Sequence, residues 1–276
     1  SGASNGQVLT YNSSNGNITL ATAGGLSNNA TYVQSLGVGT GALDSESASG
    51  YRNTAFGYNA GTSVTDGRWN ILIGGQAGDA ITTGDSNVAV GYDALSTVTT
   101  GDSNTAIGYE CMKSVDPGAT NNVAVGRGAS SVITTGSDNV SIGNSAGAFT
   151  TAGTKNTAVG GGALIFNTIG DHNTATGYLA LYANTEGDYN TATGYEALKA
   201  NTTGSQNTAV GVKALATNTE GTENTAVGYN AGYSVTIGSS NTFLGRAAGL
   251  LLTEGASNVI IGIDAAEEMT TANSCV

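Results

Sequence analysis

The 276-residue sequence is poor in charge, proline and cysteine. Charged residues make up only 10% of it, and Pro117 is the single proline. Cys111 and Cys275 are too few for a disulfide framework. Apolar residues show no helical pattern and no run near the ~18 residues of a membrane helix. We therefore expect neither a helical bundle nor insertion into a membrane.

Basic residues are scarcer still. Eight Lys and Arg stand against 20 Asp and Glu, which gives a net charge of −12. Proteins that bind nucleic acid neutralise phosphates with Lys and Arg. The charge balance therefore argues against nucleic acid as a partner.

What the sequence does contain is one short phrase, Asn-Thr-Ala-x-Gly, repeated every 17 residues. Two steps are one residue longer, those that end at Asn53 and Asn122. A fixed period of this length is typical of a solenoid, in which stacked repeats bury a shared core. The fourteen copies begin at Ser35, Asn53, Asn70, Asn87, Asn104, Asn122, Asn139, Asn156, Asn173, Asn190, Asn207, Asn224, Asn241 and Asn258.

The fold class predicted is all-β, a parallel β-solenoid of about fourteen 17-residue coils over residues 35–276. Residues 1–34 lie outside the repeat and are expected to form an N-terminal spacer or capping segment. Positions are numbered below from the Asn of each repeat, which is position zero. Position three is β-branched or apolar in every copy, which indicates a strand. Position seven is Ala in thirteen copies and Cys111 in the other, as expected for a small core column.

Side chains of a strand alternate between two faces. Positions one, three and five carry Thr, Val, Ile or Tyr, whereas positions two and four carry Ala and Gly. We expect the bulky face to fill the core of the coil and the small face to lie against a neighbouring backbone. Leu72, Phe243 and Ile260, which replace Ala at position two, would then plug the axis of an assembly. The interface alanines predicted on this basis are Ala89, Ala106, Ala124, Ala158, Ala175, Ala192, Ala209 and Ala226.

The second half of the repeat is expected to provide the turns. Gly occupies position fourteen in twelve copies, and it is expected to take a positive φ there. The Asn column is interpreted as structural. Stacked amides can bond from one coil to the next as a ladder, and a binding residue seldom has to recur in every coil.

The phrases at Asn207–Gly211 and Asn224–Gly228 resemble the repeats in the heads of trimeric autotransporter adhesins. They are more similar to the longer repeats in tail-fibre and appendage proteins of bacteriophages, and Gly2–Asn12 is similar to a spacer common in phage fibres. The resemblance implies a left-handed β-roll in a homotrimeric fibre on a virion or a bacterial cell surface. Such a fibre presents or spaces a surface that binds a host receptor or glycan, and it is extracellular.

A glycan-binding strip is one candidate site. Tyr recurs at position five, and adjacent coils would stack the phenol rings. The interpretation that ranks ahead of it is that these rings cap the core with their hydroxyl groups in water. The tyrosines assigned to the strip are Tyr92, Tyr109, Tyr178, Tyr195 and Tyr229.

Catalytic chemistry is not indicated, and no metal or cofactor is expected. Asp85 and Asp102 form one pair of acidic residues in adjacent coils, and Asp171 and Asp188 form another, near the carboxylate separation of a retaining glycosidase. Every column of a solenoid has that spacing, so we expect solvated turn carboxylates rather than an acid and base. His172 is the only histidine and is expected to be a surface turn residue. The chain is accordingly predicted not to be an enzyme, with a polysaccharide-degrading fibre as the third option.

Ice binding is the alternative function. Thr at position twelve recurs in twelve copies, as in solenoids that match a water lattice. Such surfaces usually carry two parallel Thr columns, whereas position ten is mixed, with Ser63, Val132 and Phe166 among its residues. The ice-binding hypothesis therefore ranks below the fibre.

Overall fold

The computed structural model describes residues 7–12, 17–22, 35–47, 51–115 and 118–276. Strands β1 (Gln7–Asn12) and β2 (Asn17–Thr22) pair antiparallel, with Gln7 opposite Thr22. The predicted spacer spans residues 1–34, and its residues other than these two strands lie outside the described residues. No helix occurs in the described ranges, as the all-β prediction requires.

Fourteen short strands form a single parallel sheet, and each pairs with its equivalent in the next coil. The chain is therefore a parallel β-solenoid of about thirteen coils with about 17 residues per turn, which confirms the predicted fold. The strands are β3 Leu36–Val38, β4 Thr54–Phe56, β5 Ile71–Ile73, β6 Val88–Val90, β7 Thr105–Ile107, β9 Val123–Val125, β11 Val140–Ile142, β12 Thr157–Val159, β13 Thr174–Thr176, β14 Thr191–Thr193, β15 Thr208–Val210, β16 Thr225–Val227, β17 Thr242–Leu244 and β18 Val259–Ile261.

A second, two-stranded parallel sheet pairs β8 (Ser114–Val115) with β10 (Val132–Ile133). The two longer repeats keep the main sheet in register, because Leu36 pairs with Thr54 and Thr105 pairs with Val123. The additional residue in each of these coils is therefore accommodated outside the strand.

The strand faces are opposite to those predicted. Ala175 and Ala192, at position two, are fully buried and pack in one cluster with Ala180 and Leu181 of the same chain. The eight alanines assigned to a chain–chain interface thus line the inside of the coil, and that assignment is wrong. The reason is the small cross-section of a 17-residue coil, in which Ala at positions two and seven leaves room for one large side chain beside the residue at position eleven.

That larger side chain alternates between two positions. In six coils a fully buried Leu or Met carries it at position eight, as Leu198 and Leu215 do. Phe243 instead carries the bulk at position two, and Gly232 and Gly249 then stand at position eight on either side of it. A Cβ at Gly249 would lie within 3 Å of the Phe243 ring. Leu72, Phe243 and Ile260 therefore fill the core of their own chain and do not plug an axis between chains.

The Asn ladder is confirmed. Each Asn side-chain oxygen accepts the backbone N–H of the next Asn, as Asn190 does from Asn207 at 3.0 Å. The amide nitrogen of Asn190 donates to the Gly204 carbonyl at 2.8 Å, inside the same coil. These asparagines are buried, so the ladder satisfies backbone groups that water cannot reach.

The glycines at position fourteen serve close approach and not a positive φ, which corrects the prediction. Gly187 lies outside the left-handed region, but a Cβ there would come within 2.2 Å of the Gly204 carbonyl oxygen. The left-handed turn falls two residues later, at Tyr189, with φ 56°. Position four combines both constraints, since Gly194 has φ 141° and a Cβ there would meet the Gly211 oxygen at 2.3 Å.

Candidate functional site

The outward face of the main sheet runs along the solenoid from β3 to β18. It consists of positions one and three of every strand, the residues predicted to be internal. Val210 and Val227 are 38% and 36% exposed, and Phe56 is 57% exposed. From β3 to β18 the face therefore presents a continuous row of β-branched and aliphatic side chains to solvent.

The tyrosines of the proposed strip border this face and are exposed by about half of their surface. Tyr92 stacks on Tyr109 with ring centroids 5.9 Å apart, and Tyr178 stacks on Tyr195 at 5.7 Å. The predicted stacking is thus present in both adjacent pairs. Tyr229 is 53% exposed and lies between Val212 and Arg246 at the same position of the neighbouring coils. None of the five tyrosines belongs to the buried core clusters.

The acidic residues at position fifteen have a defined structural role. Asp102 accepts the backbone N–H of Asp85 at 2.7 Å, and Asp188 accepts that of Asp171 at the same distance. Each carboxylate therefore binds the turn of the preceding coil, in agreement with the prediction of turn carboxylates. His172 lies in the same kind of turn, with φ 58°, and stacks on Tyr189 at 4.9 Å. Within the described ranges, no three His, Cys, Asp or Glu side chains are placed to hold a metal ion.

A third surface, at positions six, nine and ten, was not singled out from the sequence. Here a groove of about 400 Å³ runs between Tyr182 and Tyr233, with Glu196 and Lys199 on its wall. Lys199 Nζ lies 2.8 Å from Glu196 Oε1. This hydrogen bond lowers the pKa of the Glu196 carboxyl and raises that of the Lys199 ammonium, so the pair is ionised. Position nine differs from coil to coil, and the sequence therefore gave no periodic signal for it.

One further carboxyl, Asp79, lies at position nine of an earlier coil. Burial raises its pKa, and the charge of Asp93 adds to the effect. Lys113 binds Asp93 at 3.2 Å and Glu110 at 2.6 Å, so one cation neutralises part of this acidic group. The same three positions of the coil thus carry a mainly acidic cluster at one place and the Tyr-lined groove at another.

Comparison with known proteins identifies no relative. No family model, curated protein or solved structure matches the chain. No helix long and apolar enough to cross a membrane occurs in the part of the chain that the structure describes. Function must therefore be argued from the surfaces themselves.

Proposed function

We propose that the chain is a structural segment of an extracellular fibre or adhesin, which assembles with copies of itself and carries a glycan-binding side surface. The observation that carries this proposal is the exposed, uncharged outward face, which is mainly apolar from β3 to β11 and rich in Thr from β12 to β17. Soluble monomers rarely expose a large contiguous apolar surface, and such a surface commonly marks an interface. The resemblance to phage-fibre and adhesin repeats favours three copies, on a virion or a bacterial cell surface.

The dimensions of the face support assembly. Thirteen steps at the strand spacing of about 4.8 Å give a length of about 62 Å, and a three-residue strand is about 10 Å wide. The face thus offers about 600 Å² per chain, so that two faces together reach the lower end of the range for specific interfaces. Every coil repeats the same contact, which makes the total interaction grow with the number of coils.

The test compares two double variants with equal changes in charge. Val210→Glu with Val227→Glu places acids on the outward face, and Ile169→Glu with Ile237→Glu places them at position thirteen, on an exposed turn. All four residues are exposed apolar side chains. Light scattering on the 27.2 kDa chain is expected to give about three times the monomer mass for wild type and for the turn variant.

The face variant is expected to give a monomer with unchanged circular dichroism, because burying charge at a symmetric interface is unfavourable. A monomeric wild-type protein would contradict the assembly. A face variant that stays trimeric would place the interface elsewhere on the coil.

One observation weighs against the ice-binding alternative and another favours it. Thr at position twelve donates its hydroxyl to the next coil, as Thr202 does to the Thr219 carbonyl at 3.0 Å, so these hydroxyls are engaged within the fold. The outward face, however, carries Thr at position one of six successive strands, β12 to β17, and Thr176 and Thr193 add a second column at position three. Thermal hysteresis of the purified chain tests this second candidate, and its absence removes it.

A further inference from the structure

The groove between Tyr182 and Tyr233 differs from the rest of the coil surface in shape. The two rings lie three coils apart, which is about 14 Å at the strand spacing. Between them the floor is made of small side chains, Ala183, Ala200 and Ala216. The volume of about 400 Å³ is at the small end of the range for ligand pockets. Aromatic walls over an apolar floor suit a flat ligand with C–H faces, such as a pyranose.

The groove also differs in charge. Glu196 lies between Lys199, at 2.8 Å, and Lys213, at 3.8 Å, so the three side chains together carry a charge of +1. The chain as a whole carries −12, and these two lysines are a quarter of its eight basic residues. Lys199 is 39% exposed and therefore accessible to a ligand. The positive charge of the groove favours an anion there, whereas the negative charge of the rest of the chain disfavours one elsewhere.

We infer that the groove between Tyr182 and Tyr233 binds a short oligosaccharide that carries a carboxylate, with the sugar rings against the tyrosines and the carboxylate at Lys199. The inference rests on the proposed role of the fibre as a carrier of a glycan-binding surface, and it names the class of glycan. The carboxylate would compete with Glu196 for the Lys199 ammonium, and Lys213 would hold Glu196 meanwhile. Neutral sugars can accept hydrogen bonds from the lysines but have no negative charge to pair with them.

An internal control exists four coils away from the start of the groove. Lys113 and Glu110 form the same kind of ion pair as Lys199 and Glu196, separated by three residues in the chain. That cluster includes Asp93 and therefore carries −1. Its neighbours at position nine are Ser96 and Ser131, so it has the ion pair without tyrosine walls.

The experiment is calorimetric titration at low ionic strength with trigalacturonic acid and, separately, with its methyl ester, which keeps the shape and removes the charge. Wild type is expected to bind the acid about tenfold more tightly than the ester. Lys199→Gln should weaken binding of the acid about fivefold, whereas Lys113→Gln should leave it unchanged. Tyr233→Ser, which places at position nine a residue that other coils carry there, should weaken binding of both ligands. Circular dichroism checks that each variant is folded.

Each other outcome overturns the inference. Equal affinity for acid and ester would mean that the lysines do not read the carboxylate. An equal effect of Lys113→Gln and Lys199→Gln would mean that any exposed lysine suffices, and no saturable binding would mean that the groove is not a site for this class. Light scattering on the same samples separates this result from the fibre proposal. A trimer that does not bind contradicts only the groove, and a monomer that binds the acid contradicts only the assembly.

Discussion

The large core side chain stands either at position two or at position eight. A double-mutant cycle at Phe243 and Gly249 tests whether these two positions share one space. Phe243→Ala removes a fully buried ring and is expected to cost about 3–5 kcal/mol of unfolding free energy. Gly249→Leu alone places a side chain where a Cβ would already meet the Phe243 ring, and it should cost at least about 1–3 kcal/mol by overpacking.

The double variant should be far more stable than the sum of these losses. It recreates the combination of Ala at position two and Leu at position eight, which Ala192 and Leu198 show fully buried. Other coils accept Leu at position eight with φ near 50°, so the backbone at Gly249 tolerates the change. We expect the double variant to lie within about 2 kcal/mol of wild type, which is a coupling of several kcal/mol.

Urea unfolding followed by circular dichroism measures the cycle. Hydrogen exchange of the amides in β16 to β18 should accompany it, because repeat arrays can unfold locally. Additive losses would refute the reasoning. Phe243 and Gly249 would then not share one space, and position two would face away from the core, as the sequence had suggested.

Three further outcomes are expected. Gly160→Ala should destabilise the coil by at least about 2 kcal/mol, because φ is 131° and the new Cβ would meet a carbonyl oxygen at 2.5 Å, whereas Gly161→Ala, with its nearest contact at 3.4 Å, should be nearly neutral in thermal unfolding. Val235→Asn should lower the unfolding free energy by about 1–3 kcal/mol, since the new amide would donate to the buried oxygen of Asn218, which no described residue does, but would leave its own oxygen buried without a donor and remove the apolar contacts of Val235; a higher stability would contradict this. Burial raises the pKa of the Cys111 thiol to about 12 from 9.0, so its contribution to stability is complete below pH 9 and is lost as the pH rises towards 12. Cys111→Ala should remove that part of the alkaline loss in unfolding measured against pH, and an unchanged profile would show that the thiol is not buried in solution.

The second Asn ladder shows how a local pattern can escape a periodic analysis. Asn184, Asn201 and Asn218 stand at position eleven, as Asn167 does in the coil before them, whereas most other coils carry Val, Ile or Leu there. Each donates to the Asn of the preceding coil, as Asn201 does to Asn184 at 2.7 Å. The ladder covers only four coils, and it replaces apolar contact by hydrogen bonds within the same core. In the sequence, a position that carries Asn in some coils and Val or Ile in others appears simply to accept different residues. Only the stacking of the coils brings its asparagines together as a ladder.

The groove could not be predicted for a related reason. Tyr182, Lys199 and Tyr233 all stand at position nine, in three different coils. The residue type at this position changes irregularly along the chain, so it forms no motif. Their juxtaposition depends on the stacking, which brings residues 17 apart to the spacing of neighbouring strands. The exposed Tyr pairs, by contrast, were predictable, since they follow the periodic column at position five.

The sequence by itself determined the period, the parallel stacking of coils, the Asn ladder and the small core column at position seven. Those features follow from repetition, because a residue type required in every coil must recur at every period. Only the tertiary structure decided which face of the strand lies inside. Both faces are uncharged, so polarity does not choose between them, and the usual preference for burying the larger side chains pointed the wrong way. The limited volume of the closed coil decides it, because Ala fits between the facing walls and a row of Val and Ile does not.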